Sequence, residues 1–275
     1  MPTNEQRRQN AKRKLERQLE RRAERARKRR QLAVTASVVA VVLVVGVAAV
    51  LFVTLRGGDE TTQVADAGAT PTDTPAGLCT FAPDGTEPSN PATPPTETDP
   101  PTTGEVPATI TTSEGVVPVT LDRATGPCAV ESFVSLASQS YFDDTPCHRL
   151  TTSGIFVLQC GDPTGSGTGG PGYTINDEPP TDLAPATGAA AGSGAVVYPR
   201  GTLAMAKTAA PDSGGSQFFL VYQDSPLPPD YTVFGTIAPE GLTVLDQVAD
   251  AGVEGGGADG APATPVQLET VTTQA

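Results

Sequence analysis

Residues 31–55 are 25 consecutive positions without a charged side chain, dominated by Val, Ala and Leu, as in Val38-Val39-Ala40-Val41-Val42-Leu43-Val44-Val45. A helix needs about 20 such residues to span a bilayer. The run is therefore expected to be a transmembrane helix, which forces every folded part of the chain to one side of it or the other. A cleaved signal peptide is the competing reading, but its apolar core would be about 7–15 residues and its charged leader much shorter than what precedes this run. That leader, residues 1–30, holds 13 of the 18 Lys and Arg and only four acids, while the other 245 residues hold 5 basic and 27 acidic groups. The positive-inside rule then makes 1–30 a basic cytoplasmic arm. The expected location is the cytoplasmic membrane, single-pass, with the C-terminal region extracytoplasmic. Basic groups at such density could neutralise nucleic-acid phosphates, yet topology and attraction to anionic headgroups explain them, so no nucleic-acid partner is expected.

Residues 57–105 contain nine Pro and twelve Thr, no Lys or Arg, and Phe81 as the single aromatic. Such a segment has little apolar surface to offset its ordering entropy, and its prolines favour extended backbone. Residues 56–105 are expected to be a disordered Pro/Thr-rich stalk. The character changes at about Val106: eleven of the thirteen aromatic residues lie between Phe133 and Phe234. Short β-type runs occur at Ala108–Thr112, Val116–Leu121, Ile155–Gln159, Thr202–Ala206, Gln217–Tyr222, Thr232–Ile237 and Val266–Thr272. Ala129–Ser140 and Leu242–Ala249 carry apolar residues at helical spacing. This pattern predicts one mainly-β domain over 106–273, an antiparallel barrel or sandwich whose ends are covered by two helices.

The chemistry is bounded by what the domain lacks. The chain has one histidine, His148, which excludes a multi-His metal site, and no metal or cofactor is expected. Cys147 and His148 are neighbours, and neighbours on a strand point to opposite faces, so they cannot form a nucleophile–base pair. The Gly-rich stretch 165–172 lacks the Gly-Lys-Ser/Thr ending of a phosphate loop. Neither Ser166 nor Ser216 sits in a Gly-x-Ser-x-Gly elbow. Beyond Arg56 the basic side chains are four, Arg123, Arg149, Arg200 and Lys207, and Arg149 lies near the apolar run Ile155-Phe156-Val157-Leu158.

Several motifs occur in a fixed order: Glu131-Ser132-Phe133-Val134-Ser135-Leu136, Tyr141-Phe142-Asp143-Asp144-Thr145 leading to His148-Arg149-Leu150, and Gln159-Cys160-Gly161-Asp162-Pro163-Thr164-Gly165. They continue through Gly167-Thr168-Gly169-Gly170, Gly201-Thr202-Leu203-Ala204-Met205-Ala206, Gly214-Gly215-Ser216-Gln217-Phe218-Phe219 and Thr232-Val233-Phe234-Gly235. Together they make residues 106–273 resemble the cyclophilin family of peptidyl-prolyl cis-trans isomerases, and the arm, apolar run and stalk make the chain look like a membrane-anchored bacterial member of actinobacterial type. The resemblance implies an eight-stranded antiparallel β-barrel capped by two helices, acting without a cofactor on Pro-containing polypeptides. It implies that Arg149 and Gln159 are catalytic. It places Phe156, Val157, Ala206, Lys207, Gln217, Phe219, Leu227 and Tyr231 around the substrate.

Departures from the family pattern carry expectations of their own. Two extra residues between Arg149 and Gln159 are expected to alter the loop at 151–154. Lys207 replaces a common Asn whose backbone contacts substrate, a role that a different side chain can keep. Pro226 stands where the family has a Trp that usually matters for cyclosporin, so high cyclosporin affinity is not expected. Four cysteines allow three connectivities, with free buried thiols as the alternative. The family alignment puts Cys147 and Cys160 on neighbouring strands, which favours that bridge and leaves Cys79 to Cys128. Two functions remain: an isomerase that assists folding of exported proteins, and a catalytically inactive cyclophilin-like module that binds Pro-containing segments.

Overall fold

The computed structural model describes residues 77–274. The expected cytoplasmic arm 1–30, the expected transmembrane helix 31–55 and the first part of the expected stalk, 56–76, lie outside the described residues. Among the described residues no helix is long and apolar enough to cross a membrane.

In chain order the elements begin with strands β1 (Phe81–Pro83), β2 (Glu105–Thr112) and β3 (Gly115–Asp122), then helix α1 (Pro127–Ser138). Strands β4 (Thr145–Pro146), β5 (Arg149–Thr151), β6 (Val157–Cys160), β7 (Tyr173–Ile175), β8 (Val196–Tyr198), β9 (Thr202–Met205), β10 (Phe218–Val221), β11 (Ser225–Leu227) and β12 (Val233–Ile237) follow. Helix α2 (Pro239–Ala251) and strands β13 (Asp259–Gly260) and β14 (Gln267–Thr273) complete the chain. The seven strands and two helices expected from periodicity are all present. The strands that periodicity does not show are two or three residues long, too short to display an alternation.

Ten strands form one antiparallel sheet in the order β13-β5-β6-β10-β9-β12-β3-β2-β14-β4. The count exceeds the expected eight because β4 and β5 are separate strands and the two-residue β13 adds an edge. Strands β4 and β5 sit near opposite ends of this order, yet only Cys147 and His148 separate them. Residues 145–151 thus bond to β14 on one side and to β6 on the other, which requires the sheet to curl until its ends meet.

Alternation along the strands decides what lies inside the curl. On β2, Val106, Ala108 and Ile110 point inward, and on β3 Val117, Val119 and Leu121 do so. Strands β9 and β10 are buried on both faces. Leu203, Met205, Phe218 and Leu220 join the main core, while Ala204, Phe219 and Val221 join a second cluster with Val157 and Tyr198 on the outer face. That second cluster is the floor of the site described below. Helix α1 plugs the main core with Phe133, whose ring lies 5.0 Å from Phe142, 5.4 Å from Phe218 and 5.3 Å from Phe234. Its N-cap position is Gly126, which has no side chain to offer. The Glu178 carboxylate substitues from a distant loop, accepting hydrogen bonds from the Cys128 and Ala129 N–H groups at 3.0 Å each, where helix-terminal donors need an acceptor.

Residues 77–104 depart from the expected stalk. They run along the domain as a strap: β1 pairs with β7, the Ser89 N–H donates to the Gly170 carbonyl at 2.9 Å, and the Asn90 amide donates to the Tyr141 carbonyl. Cys79 is bonded to Cys128 at the start of α1, and Cys147 to Cys160, so both pairings implied by the resemblance are present. Composition alone misjudges the strap because its order comes from a covalent link and backbone hydrogen bonds rather than from apolar side chains.

The two bridges close loops of 49 and 13 residues. Replacing Cys79 and Cys128 by Ala is expected to destabilise the folded domain by up to about 4 kcal/mol, and replacing Cys147 and Cys160 by up to about 3 kcal/mol, if loop closure dominates. Denaturant midpoints of the two double variants check the order; the reverse order would show that local native contacts outweigh loop entropy.

Candidate functional site

Strand register places the site residues in a row. Arg149 on β5 is directly opposite Gln159 on β6, Gln159 is opposite Phe219 on β10, and Phe219 is opposite Ala204 on β9. Directly opposed residues point to the same face, so these four side chains lie side by side on the outer face of the curled sheet. The two extra residues between Arg149 and Gln159 are absorbed by a tight turn at 152–156, with Ser153 bridged to Ile155 and Gly154 at φ +81°. The register is undisturbed.

Above the row is a pocket of about 180 Å³ lined by Arg149, Ile155, Val157, Gln159, Ala206, Lys207, Phe219, Leu227 and Tyr231. Eight of the ten residues expected to be catalytic or substrate-binding are among them. Gln217 lines the adjoining cavity and reaches the site through Gln159. Phe156 is a correction: it does not line the pocket but packs against the main core, edge-on to Tyr222 with ring centroids 6.0 Å apart. Adjacent strand residues face opposite ways, so with Val157 and Gln159 facing the pocket, Ile155 takes the position expected of Phe156. That alternation was the signal available for Ile155.

A relay of side-chain amides orients the polar edge. The Gln217 amide Nε2 donates to the Gly169 carbonyl at 3.0 Å, which turns its Oε1 toward Gln159 Nε2 at 2.9 Å. Gln159 Oε1 is then left facing Arg149 Nη1 at 3.4 Å. One fixed backbone acceptor therefore decides which end of each amide faces the next group. The loop carrying Gly169 is held by Asp162, a buried carboxylate that accepts from the Thr164 N–H and hydroxyl and from the Gly167 and Gly169 N–H groups. Burial alone would raise the Asp162 pKa, but these hydrogen bonds win and hold it below the usual range. A Cβ at Gly169 would lie 2.0 Å from Asp162 Oδ1, so the loop needs glycine there to close on the carboxylate.

Besides Ile155, two residues that hold the site escaped the sequence reading. Asp259 on β13 accepts from Arg149 Nε and Nη2, both at 2.8 Å. It raises the Arg149 pKa, and the guanidinium lowers that of Asp259. Asp259 stands in Gly255-Gly256-Gly257-Ala258-Asp259-Gly260, 110 residues from Arg149, and nothing in the local sequence marks it as a partner. Tyr198, fully buried, joins its hydroxyl to the Pro228 and Tyr231 carbonyls and to the Tyr231 N–H. Burial pushes its pKa up to about 12. It thereby holds Tyr231, whose ring packs edge-on against Phe219 with centroids 5.6 Å apart.

The remaining polar groups play other parts. The Lys207 ammonium is paired with Asp177, so the charge it brings to the pocket lining is compensated. His148 does not line the pocket; burial lowers its pKa, and Nδ1 is buried without a protein partner. Pro226 is in β11, opposite Val197 of β8, and is not a pocket residue. Among the described residues there is no group of three or more His, Cys, Asp or Glu able to hold a metal ion.

A pocket with an apolar floor and an oriented guanidinium at its edge, on the outer face of a curled antiparallel sheet with two helices, defines a class of protein. A sequence model described as Cyclophilin type peptidyl-prolyl cis-trans isomerase/CLD matches residues 108–273. The chain belongs to the cyclophilin-type peptidyl-prolyl cis-trans isomerase family. Similar proteins include the probable peptidyl-prolyl cis-trans isomerase B of Mycobacterium tuberculosis, 54% identical over 179 residues that cover 62% of this chain and 58% of the relative. The protein of the same name from Mycobacterium leprae is 49% identical over 198 residues, covering 70% and 65%. The chain thus spans about three fifths of the length of these relatives. The crystal structure of a Cryptosporidium parvum cyclophilin type peptidyl-prolyl cis-trans isomerase superposes with a TM-score of 0.51 at 25% identity, covering 62% of this chain and 99% of that one.

Because Asp259 has a depressed pKa, its pairing with Arg149 is complete above the ordinary Asp range and is lost as pH falls through the lowered value. In an NMR titration the Arg149 Nε–H resonance is expected to stay fixed from about pH 8 down to about pH 4 and to move below that. Asp259→Asn should shift it at every pH; a transition near neutrality in the unaltered protein would contradict the pairing.

Proposed function

We propose that the domain catalyses cis-trans isomerisation of X–Pro bonds in polypeptides. The observation that carries this reading is the oriented Arg149 guanidinium beside the apolar floor of the pocket. At about 180 Å³ the pocket is well below the roughly 300–1,000 Å³ of small-molecule sites, a size suited to one ring-sized side chain. Its apolar lining, Ile155, Val157, Phe219 and Leu227, would hold the proline ring.

The reaction needs nothing else chemically. Rotation about the amide faces a barrier of about 18–20 kcal/mol because conjugation is lost, and no covalent bond breaks. As the amide twists, its nitrogen becomes pyramidal and regains a lone pair. A donor aimed at that nitrogen, or at the prolyl carbonyl, binds the twisted form better than either planar isomer. Arg149 has five N–H donors, of which two go to Asp259 and one to Gln159. One N–H on each terminal nitrogen therefore remains for substrate. Asp259 and Gln159 position the guanidinium, Gln217 positions Gln159, and the charge on Arg149 does not titrate in the working range.

We further propose that the chain is anchored in the cytoplasmic membrane by 31–55, with the isomerase domain outside, where it assists folding of exported proteins. The uncharged 25-residue run and the 13 basic groups before it support this reading. So do the two disulfides, which leave no free cysteine among the described residues, since such bridges persist in oxidising compartments.

Arg149→Ala in the full chain is expected to lower kcat/KM for an Ala-Pro peptide by about 10²–10³-fold, the usual cost of removing one transition-state donor, while the peptide still binds. Arg149→Lys should recover little, because an ammonium cannot reproduce the fork held by Asp259 and Gln159. Wild-type isomerisation no faster than buffer would leave only a Pro-binding module. Cell fractionation tests the location: the full chain should sediment with membranes and its 77–274 portion be cut by protease added outside, whereas recovery in the soluble fraction would overturn the anchor.

A further inference from the structure

A second cavity of about 410 Å³ adjoins the pocket and shares Gln159, Ala206 and Lys207 with it. The cavity's far wall includes Asp84 and Thr86. Both belong to the strap and lie outside the 108–273 region matched by the family model, so this wall is not part of the family domain. It is firmly placed. On one side of Asp84, β1 pairs with β7, and the Asp84 N–H itself donates to the Gly172 carbonyl. On the other side, the Ser89 N–H and hydroxyl engage Gly170.

The charge at this wall is uncompensated. Asp84 Oδ1 accepts from the Thr86 N–H at 2.8 Å and the Thr86 hydroxyl at 2.6 Å, which fixes the carboxylate's orientation. Oδ2 has no partner among the described residues, and Asp84 is exposed. The other ionic group on the cavity, Lys207, is neutralised by Asp177. Over 77–274 the chain has 23 acidic and four basic side chains, and Arg149, Arg200 and Lys207 are all ion-paired.

We propose that Asp84 is a specificity residue, selecting polypeptides that carry a Lys or Arg close to the proline and seating that side chain in the second cavity. The proposal rests on the isomerase reading of the adjoining pocket. Because the two cavities share three wall residues, the basic side chain lies close to the proline in the chain. The negative surface draws such segments in, and the strap carboxylate decides which of them fit.

The test uses the full chain and peptides built around Ala-Pro, with Lys or Glu placed in turn at each of the three nearest positions on either side. At low salt, one position is expected to favour Lys over Glu by about three- to fivefold in kcat/KM, the scale of an exposed ion pair. The preference should lie in KM with kcat unchanged and shrink in about 0.5 M NaCl, where screening is strong. Asp84→Asn keeps the Oδ1 acceptor for Thr86 and removes the charge, so it should abolish the preference without lowering turnover of a neutral peptide; Asp84→Lys should invert it. No Lys preference at any position, or a preference unchanged in Asp84→Asn, would overturn the proposal. If no peptide is isomerised at all, it is the isomerase reading that fails, and binding titrations with the same peptides still decide the role of Asp84.

Discussion

The backbone pairing of β5, β6, β10 and β9 is the constraint from which the site follows. It aligns Arg149, Gln159, Phe219 and Ala204 on one face. Because side chains alternate with period two, a slip of one residue in β5 would turn Arg149 into the core and bring out Leu150, which is fully buried, so the hydrophobic pattern locks the register. The same alternation makes β9 and β10 serve two clusters at once, one filling the barrel and one flooring the pocket. Packing of the core and geometry of the site are therefore one problem with one solution.

On that row the polar order is set from a single backbone atom. The Gly169 carbonyl orients Gln217, which orients Gln159, which leaves an acceptor facing Arg149. The glycine loop is fixed in turn by Asp162, whose burial is tolerable because its oxygens are hydrogen-bonded. Asp259 holds the guanidinium from the opposite side. Both members of that ion pair are well exposed, with side-chain accessibilities of 39% and 56%, so its net contribution to stability is small and its effect is directional.

The strap adds a level that the family domain does not contain. It is poor in apolar side chains, yet the Cys79–Cys128 bridge and its pairing with β7 hold it against the loop that carries Gly169, Gly170 and Gly172. Its position brings an unpaired carboxylate to a cavity continuous with the pocket. A segment that reads as a spacer is thus part of the wall of the cavity beside the pocket.

Much of the fold was legible because it is periodic. Strands β2 and β3 alternate buried and outward residues and both helices repeat apolar residues at helical spacing, β9 and β10 show as short apolar β-type runs, and the ordered motifs marked Arg149, Gln159, Gln217 and Phe219. The strands of two or three residues were not legible, because so few positions cannot show a period. Phe156 was misplaced for a related reason: its type suits an apolar pocket, but only its pleat position decides which face it occupies. Asp259 lies 110 residues from Arg149 and Tyr198 lies 33 residues from Tyr231, and the strap at Asp84 is bonded to Gly172 far along the chain. By itself the sequence determined a mainly-β domain after an uncharged 25-residue run, and an arginine among few cations as its candidate reactive group. Only the tertiary structure decided how that arginine is aimed, which residue lines the pocket beside Val157, and that the strap walls the adjoining cavity. Those features depend on contacts between distant segments, and local spacing does not encode such contacts.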